Sequence, residues 1–379
     1  MKKLLWIGDA ACDTGFARST HSVLETLQRH FEVIVLGINY HGDPHSHPYL
    51  IYPAGVKGDP FGVNRVKALA RKEQVSLVVI QNDTWNIQPY LQQLEGAYPV
   101  AAVLPVDGLN VKGRALNDLQ LGVFWTQFGL EEARRGGFSQ PATVIPLGVD
   151  LKAFQPRDRS VCRKNVLPER LLNGAVSQDI FIVGNVNRNQ PRKRLDLTLS
   201  YFAEWIKKYA IPDAYLLLHV APTGDPCFDL RQLAQYYNVA DRIILSGYDK
   251  SFSAESLTQL YGVMDVGLST TQGEGWGLTT MEGMACGIPQ IVPEWAALAE
   301  WTREAVELIP CSEIAVTQKR INTIGAVPDR AKMIVSLQSL YASMAKRSEL
   351  QHKGLARVSE PRFRWNTIGE QFVAALRTL

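Results

Sequence analysis

The chain has little of what marks several protein classes. Its five cysteines, Cys12, Cys162, Cys227, Cys286 and Cys311, are odd in number and widely spaced, giving neither a disulfide framework nor a C-x-x-C metal pair. A reducing compartment, the cytoplasm, is the expectation. No uninterrupted apolar run approaches the ~20 residues needed to span a bilayer. The apolar stretch after Lys2 and Lys3 is cut by Asp9, so it reads as a first strand and not as a signal peptide, and integral membrane association is not expected. Net charge is small, +3, and positions 1–155 carry 14 basic and 14 acidic residues, so the first half shows no overall basic excess of the kind a duplex-DNA grip brings. Low-complexity tracts, short repeats and long charge runs are missing. No G-x-G-x-x-G follows the first strand, which removes the main support for an NAD site. What is present is a globular composition, 46% apolar and 20% charged, over 379 residues, a length that suits two domains.

The pattern along the chain supports that division. Apolar runs at Leu4–Ile7, Glu32–Leu36, Leu77–Ile80, Val100–Leu104, Gly122–Thr126 and Ala142–Ile145 read as buried strands, with a first helix at Ser19–His30. The pattern breaks near Pro146. It resumes with strands at Ile180–Gly184, Ala214–His219, Arg242–Leu245, Val266–Leu268 and Gln290–Val292, interleaved with helices such as Leu195–Tyr209 and Ser256–Met264. Alternation of strand and helix predicts parallel, doubly wound sheets, hence an α/β fold with two Rossmann-like halves and a ligand against the carboxyl ends of the strands.

The most informative segment runs from Gly273 to Pro289, Gly-Glu-Gly-Trp-Gly-Leu-Thr-Thr-Met-Glu-Gly-Met-Ala-Cys-Gly-Ile-Pro. Glycines let the backbone approach a ligand and turn its N–H groups toward it. Helical spacing begins at Leu278 and ends at Gly287 and Pro289, so an anion would sit at a helix N-terminus. Eight positions along a helix are a little over two turns, so Glu274 and Glu282 are expected to share roughly one face at a separation of about 12 Å along the axis. That suits opposite ends of a long ligand. The plain alternative is two solvated carboxylates around a helix cap.

This wording resembles the E-x7-E signature of retaining glycosyltransferases of family 4, which have the two-domain GT-B fold and whose two sheets face a central cleft. The resemblance implies that Glu274 contacts a donor sugar, that Glu282 contacts ribose hydroxyls, and that the amides of Gly275, Trp276, Gly277 and Leu278 border a diphosphate. A second phrase, Val144 to Pro156, resembles the segment leaving the family's N-terminal domain. The implied organisation is an acceptor domain over 1–155, a linker over 156–178, a nucleotide-sugar domain over 179–360, and a last helix over 361–379 that crosses back to the first domain.

Arg188 and Lys193 match the family's R-x4-K spacing for the donor diphosphate, and a planar fork with a point charge can hold two phosphates. An exposed basic loop pairing with nearby acids is the other reading of the same residues. Arg192 and Arg194, also cationic, carry no assignment. The loop Gly8 to Arg18 resembles the family's glycine-containing loop, with Gly15 facing donor phosphates and Thr14 and Arg18 either touching acceptor or donor or simply capping a helix. Where the family commonly has a His near the donor sugar, this chain has Asp107 before Gly108, either an electrostatic stabiliser or the start of a turn. Tyr248 borders the base or belongs to the core. His41, His45 and His47 lie in one Gly- and Pro-containing loop that sets no fixed ligand arrangement, so acceptor contact or solvation is expected there and no metal.

The activity implied is transfer of a sugar, hexosyl or pentosyl, from a nucleoside diphosphate sugar to an acceptor hydroxyl with retained configuration. It needs no metal or other cofactor, because cationic side chains and amides take the leaving charge. A saccharide or glycan is the expected acceptor. Alternatives are a hydroxymethylated pyrimidine in DNA, viral DNA included, since Gly15–Arg18 and Asn187–Arg194 also resemble a branch found in viral as well as cellular genomes, and a non-catalytic nucleotide-sugar-binding protein. A fourth is an epimerase that uses no acceptor.

Overall fold

The structure is a computed structural model that describes residues 1–56, 58–172, 180–221, 227–247, 252–317 and 323–379. Two compact units are present, Met1–Gly148 with Pro361–Leu379, and Val149–Glu360.

The first unit is built on a seven-stranded, all-parallel sheet. Its strands are β1 (Lys3–Asp9), β2 (Glu32–Ile38), β3 (Leu50–Pro53), β4 (Leu77–Gln81), β5 (Val100–Leu104), β6 (Leu121–Phe124) and β7 (Ala142–Val144), in the order β3-β2-β1-β4-β5-β6-β7. Central strands are apolar throughout, as sheets covered on both faces require, and Leu5, Ile7, Val78, Ile80 and Ala102 are fully buried in one core. The first helix, Gly15–Leu27, begins four residues earlier than the apolar spacing suggests, because the Thr14 side chain caps it by accepting the Ala17 N–H. Its outer neighbour is the C-terminal helix Trp365–Leu376. The two backbones approach so closely that a Cβ on Gly369 would lie 2.4 Å from Thr26, and Phe372 meets the buried Trp6 edge-on with ring centroids 6.1 Å apart.

The second unit repeats the plan. Strands β8 (Phe181–Arg188), β9 (Ala214–Ala221), β10 (Ile243–Ser246), β11 (Val266–Leu268), β12 (Gln290–Pro293) and β13 (Glu307–Ile309) form a six-stranded parallel sheet in the order β10-β9-β8-β11-β12-β13. Val183, Leu216, Leu218, Val266 and Ile291 line its core with the helix Leu195–Lys208. A separate antiparallel pair, β14 (Cys311–Val316) and β15 (Ile324–Pro328), has no counterpart in the sequence reading. Each sheet reverses its winding direction once, between β1 and β4 and between β8 and β11. Those reversals are the positions where ligands bind in open α/β sheets, outside the carboxyl ends of the strands.

Candidate functional site

In the second unit the loops leaving β8 and β11 flank the reversal. They are fastened to each other from below. Asn187 Nδ2 donates to Asn185 Oδ1 at 2.8 Å, and Asn185 Nδ2 donates to Thr198 Oγ1 at 2.9 Å. Thr198 Oγ1 is 2.6 Å from Thr270 Oγ1, which also donates to the Arg194 carbonyl at 2.8 Å. All four side chains are buried, so each needs these partners. A small pocket opens beside them, lined by Asn185, Asn187, Ser269, Thr279 and Thr280 among others.

Above this base the structure brings Lys193, Arg192 and Glu274 together. Pro191 starts a single 3-10 turn, Pro191–Lys193, and its fixed φ directs the two cations that follow. Lys193 Nζ is 2.6 Å from Glu274 Oε1, and Arg192 Nη1 is 3.1 Å from Glu274 Oε2. Burial by itself would raise the Glu274 carboxyl, but the Lys193 ammonium and the Arg192 guanidinium outweigh it and hold the group at about 2. Glu274 is therefore an ionised, oriented carboxylate at neutral pH. Arg188 ends β8 on the exposed side, and its guanidinium has no hydrogen-bond or ion-pair partner among the described residues.

Glu274 lies in the loop before the helix Leu278–Ala285, so helical periodicity does not set its direction relative to Glu282. The expectation of a shared helix face is corrected on that point: the ion pairs orient Glu274, while Glu282 sits inside the helix. Glu282 is 3% exposed, and the Tyr261 hydroxyl lies 3.0 Å from its Oε2. Gly275, Trp276 and Gly277 form the buried turn into the helix, and Leu278 is its first residue. Gly277 has φ +94° and offers no side-chain cap, so among the described residues the first amides of the helix have no intrahelical or capping side-chain acceptor. Trp276 stacks on Trp301 at 5.0 Å with the planes 7° apart, and the Trp301 indole N–H donates to the Trp276 carbonyl at 2.7 Å. The indole thus props the turn from behind. Tyr248 falls outside the described residues.

The remaining sequence candidates belong to the first unit, at the carboxyl ends of β1 and β5. Thr14 Oγ1 donates to Asp9 Oδ2 at 2.6 Å while it caps the helix that Gly15 begins; Arg18 follows within the first turns. Asp107 is half-buried just beyond β5. One of the loop histidines, His47, is drawn into an aromatic stack that the sequence did not reveal. His21 lies 3.5 Å from His47, ring over ring, and His47 stacks on Tyr49 at 5.6 Å. The Ala11 N–H donates to His21 Nε2 at 2.8 Å, so the proton of the neutral ring is on Nδ1, which donates to the Tyr49 hydroxyl at 2.6 Å. Burial, with His47 and His45 nearby, lowers His21 to about 3. It is a neutral brace for the loop after β1. Among the described residues no group of three or more His, Cys, Asp or Glu side chains is arranged to hold a metal ion, and no helix is long and apolar enough to cross a membrane.

Two parallel Rossmann-like units, each with one winding reversal, define the class of GT-B proteins. Solved structures agree on the fold. A sucrose-phosphate synthase from Thermosynechococcus elongatus superposes with TM-score 0.78 at 20% identity, covering 100% of this chain and 99% of that one. Anabaena HepE, crystallised with UDP and glucose, gives TM-score 0.72 at 18% identity with full coverage of both chains, at 100% each. In sequence, residues 177–324 match the family described as Glycosyl transferases group 1, and the chain is a relative of that family. A D-inositol 3-phosphate glycosyltransferase of Geodermatophilus obscurus is 30% identical over 186 residues, 46% of this chain and 39% of that protein. Another, from Segniliparus rotundus, is 24% identical over 242 residues, 63% of this chain and 47% of that protein. The matched segments thus span less than half the length of these relatives.

Proposed function

We propose that the protein transfers a sugar from a nucleoside diphosphate sugar to an acceptor hydroxyl with retention of the anomeric configuration. The observation that carries this reading is the Lys193–Glu274–Arg192 cluster beside an uncapped helix N-terminus at the winding reversal of the second sheet. A carboxylate held ionised there can order sugar hydroxyls. Cations and amides around it can take the charge that gathers on the leaving diphosphate, and such preorganised groups act most strongly where charge develops. Arg188 and Lys193 bind the diphosphate with the amides of Gly275, Trp276, Gly277 and Leu278, and Glu282 receives the ribose hydroxyls. The departing phosphate oxygen takes the acceptor proton on the same face, so no protein nucleophile is required.

Of the first unit's candidates, Thr14 and Arg18 are assigned to acceptor or donor contact, Gly15 to the donor phosphates and Asp107 to electrostatic stabilisation near the donor sugar. The relatives are named for inositol 3-phosphate, sucrose phosphate and trehalose 6-phosphate, which supports a polyol or saccharide hydroxyl as acceptor. The UDP and glucose of the Anabaena complex support uridine as the base.

The test is calorimetric titration of the protein with UDP, GDP and ADP in EDTA, repeated on Arg188→Ala. The expected result is binding selective for UDP, weakened roughly 10- to 100-fold in the variant, the range for loss of a charge-assisted hydrogen bond. Unaltered affinity in Arg188→Ala would remove that residue from the donor site. A chain that binds none of the three would have no diphosphate site of this kind.

A further inference from the structure

Arg192 belongs to the cluster but has no individual role so far, and it ties the site together through both its main chain and its side chain. Its carbonyl accepts the Gln272 N–H at 2.8 Å, joining the main chain of the loop after β8 to that of the loop after β11. Its guanidinium Nη1 donates to the Gly273 carbonyl and lies 3.1 Å from Glu274 Oε2. The Glu274 carboxylate is thereby divided, with one oxygen on Lys193 and the other on Arg192. The loop is also held from its far side, where the Ala326 N–H of β15 donates to the Gln272 carbonyl at 2.9 Å.

The two cations differ in what they can do. Lys193 is a point charge, whereas the planar Arg192 guanidinium is oriented so that its Nη1 meets a main-chain carbonyl and a carboxylate together. If an incoming diphosphate draws on Lys193, Glu274 would lose part of its compensation, and a buried carboxylate without a cation is costly. Arg192 is the partner that remains.

We infer that Arg192 is a positioning residue, which fixes the Gly273 peptide and the Glu274 carboxylate for the donor sugar and acts through Glu274 instead of on the diphosphate. This rests on the donor-site reading above. It separates Arg192 from Arg188 and Lys193: losing either of those weakens binding of the nucleotide itself, while losing Arg192 weakens recognition of the sugar.

The experiment compares wild type, Arg192→Met, Arg192→Lys, Glu274→Gln and the double variant Arg192→Met/Glu274→Gln by titration with UDP-glucose and with UDP, after thermal melts confirm that each is folded. Arg192→Met is expected to weaken UDP-glucose about 10-fold while changing UDP less than about threefold, and Arg192→Lys to recover part of the loss. In the Glu274→Gln background, Arg192→Met should cost less than about threefold more, because coupled residues do not add. Equal weakening of both ligands by Arg192→Met, or a full additional 10-fold loss on top of Glu274→Gln, would overturn the inference and leave the donor reading standing. Wild type that binds neither ligand would overturn the donor reading, and this inference with it.

Discussion

Lys193→Met is expected to cost about 3 kcal/mol of stability in the second unit, the size of effect seen when one member of a buried ion pair is removed, and to lower nucleoside diphosphate affinity on the order of 100-fold. Both follow from one atom. Lys193 Nζ is the nearer of the two cations on Glu274, a residue that is only 8% exposed, and it borders the proposed phosphate position. The pH dependence gives an independent reading. With its folded-state value at about 2 against an ordinary 4.5, Glu274 contributes stability that is complete above pH 4.5 and is lost as pH falls toward 2. Removing Lys193 takes away the larger of the two attractions opposing burial, so the folded-state value rises and the acid-side loss shrinks. Denaturant midpoints measured across that range in wild type and variant check the point; parallel curves would mean that Lys193 does not hold the carboxylate.

Gly277→Ala carries the other large effect. At φ +94° a side chain is strained, and a Cβ there would lie 2.6 Å from Leu298 Cδ2. Left-handed backbone costs a non-glycine residue about 1–2 kcal/mol, and the clash pushes the turn that presents the helix amides. Transfer is expected to fall by more than stability alone would dictate, on the order of 100-fold for about 3 kcal/mol lost in the transition state. Combining it with Leu298→Ala relieves the clash but not the backbone strain, so the double variant should recover stability only in part. Steady-state kinetics and thermal melts on the two variants measure this; full recovery of both quantities would place the whole effect in the contact with Leu298.

The doubly wound character of both halves was legible because their strands are continuous apolar runs separated by helices of clear period. Leu50–Pro53 escaped notice because it is four residues long, ends in proline and follows a loop full of His and Pro. The pair Cys311–Val316 and Ile324–Pro328 escaped because its first strand is largely exposed and carries no buried alternation. In the site, the Gly273–Pro289 wording pointed to Glu274, but the direction of that side chain is set by residues 81 and 82 positions away. Among three consecutive cations, Arg192, Lys193 and Arg194, nothing local says which two turn toward a distant carboxylate and which pairs with Asp196. The His21–His47–Tyr49 stack was hidden for the same reason, since its rings come from a helix and from the segment entering β3.

The account stands most directly on the stereochemistry of transfer. The purified protein would be incubated in EDTA with UDP-glucose and a panel of polyol and saccharide acceptors, and the anomeric protons followed by NMR. The account predicts UDP released in step with an α-linked product. A β-linked product, or UDP that binds at the Lys193–Glu274 site yet is never released from any donor in the presence of any acceptor, would contradict it.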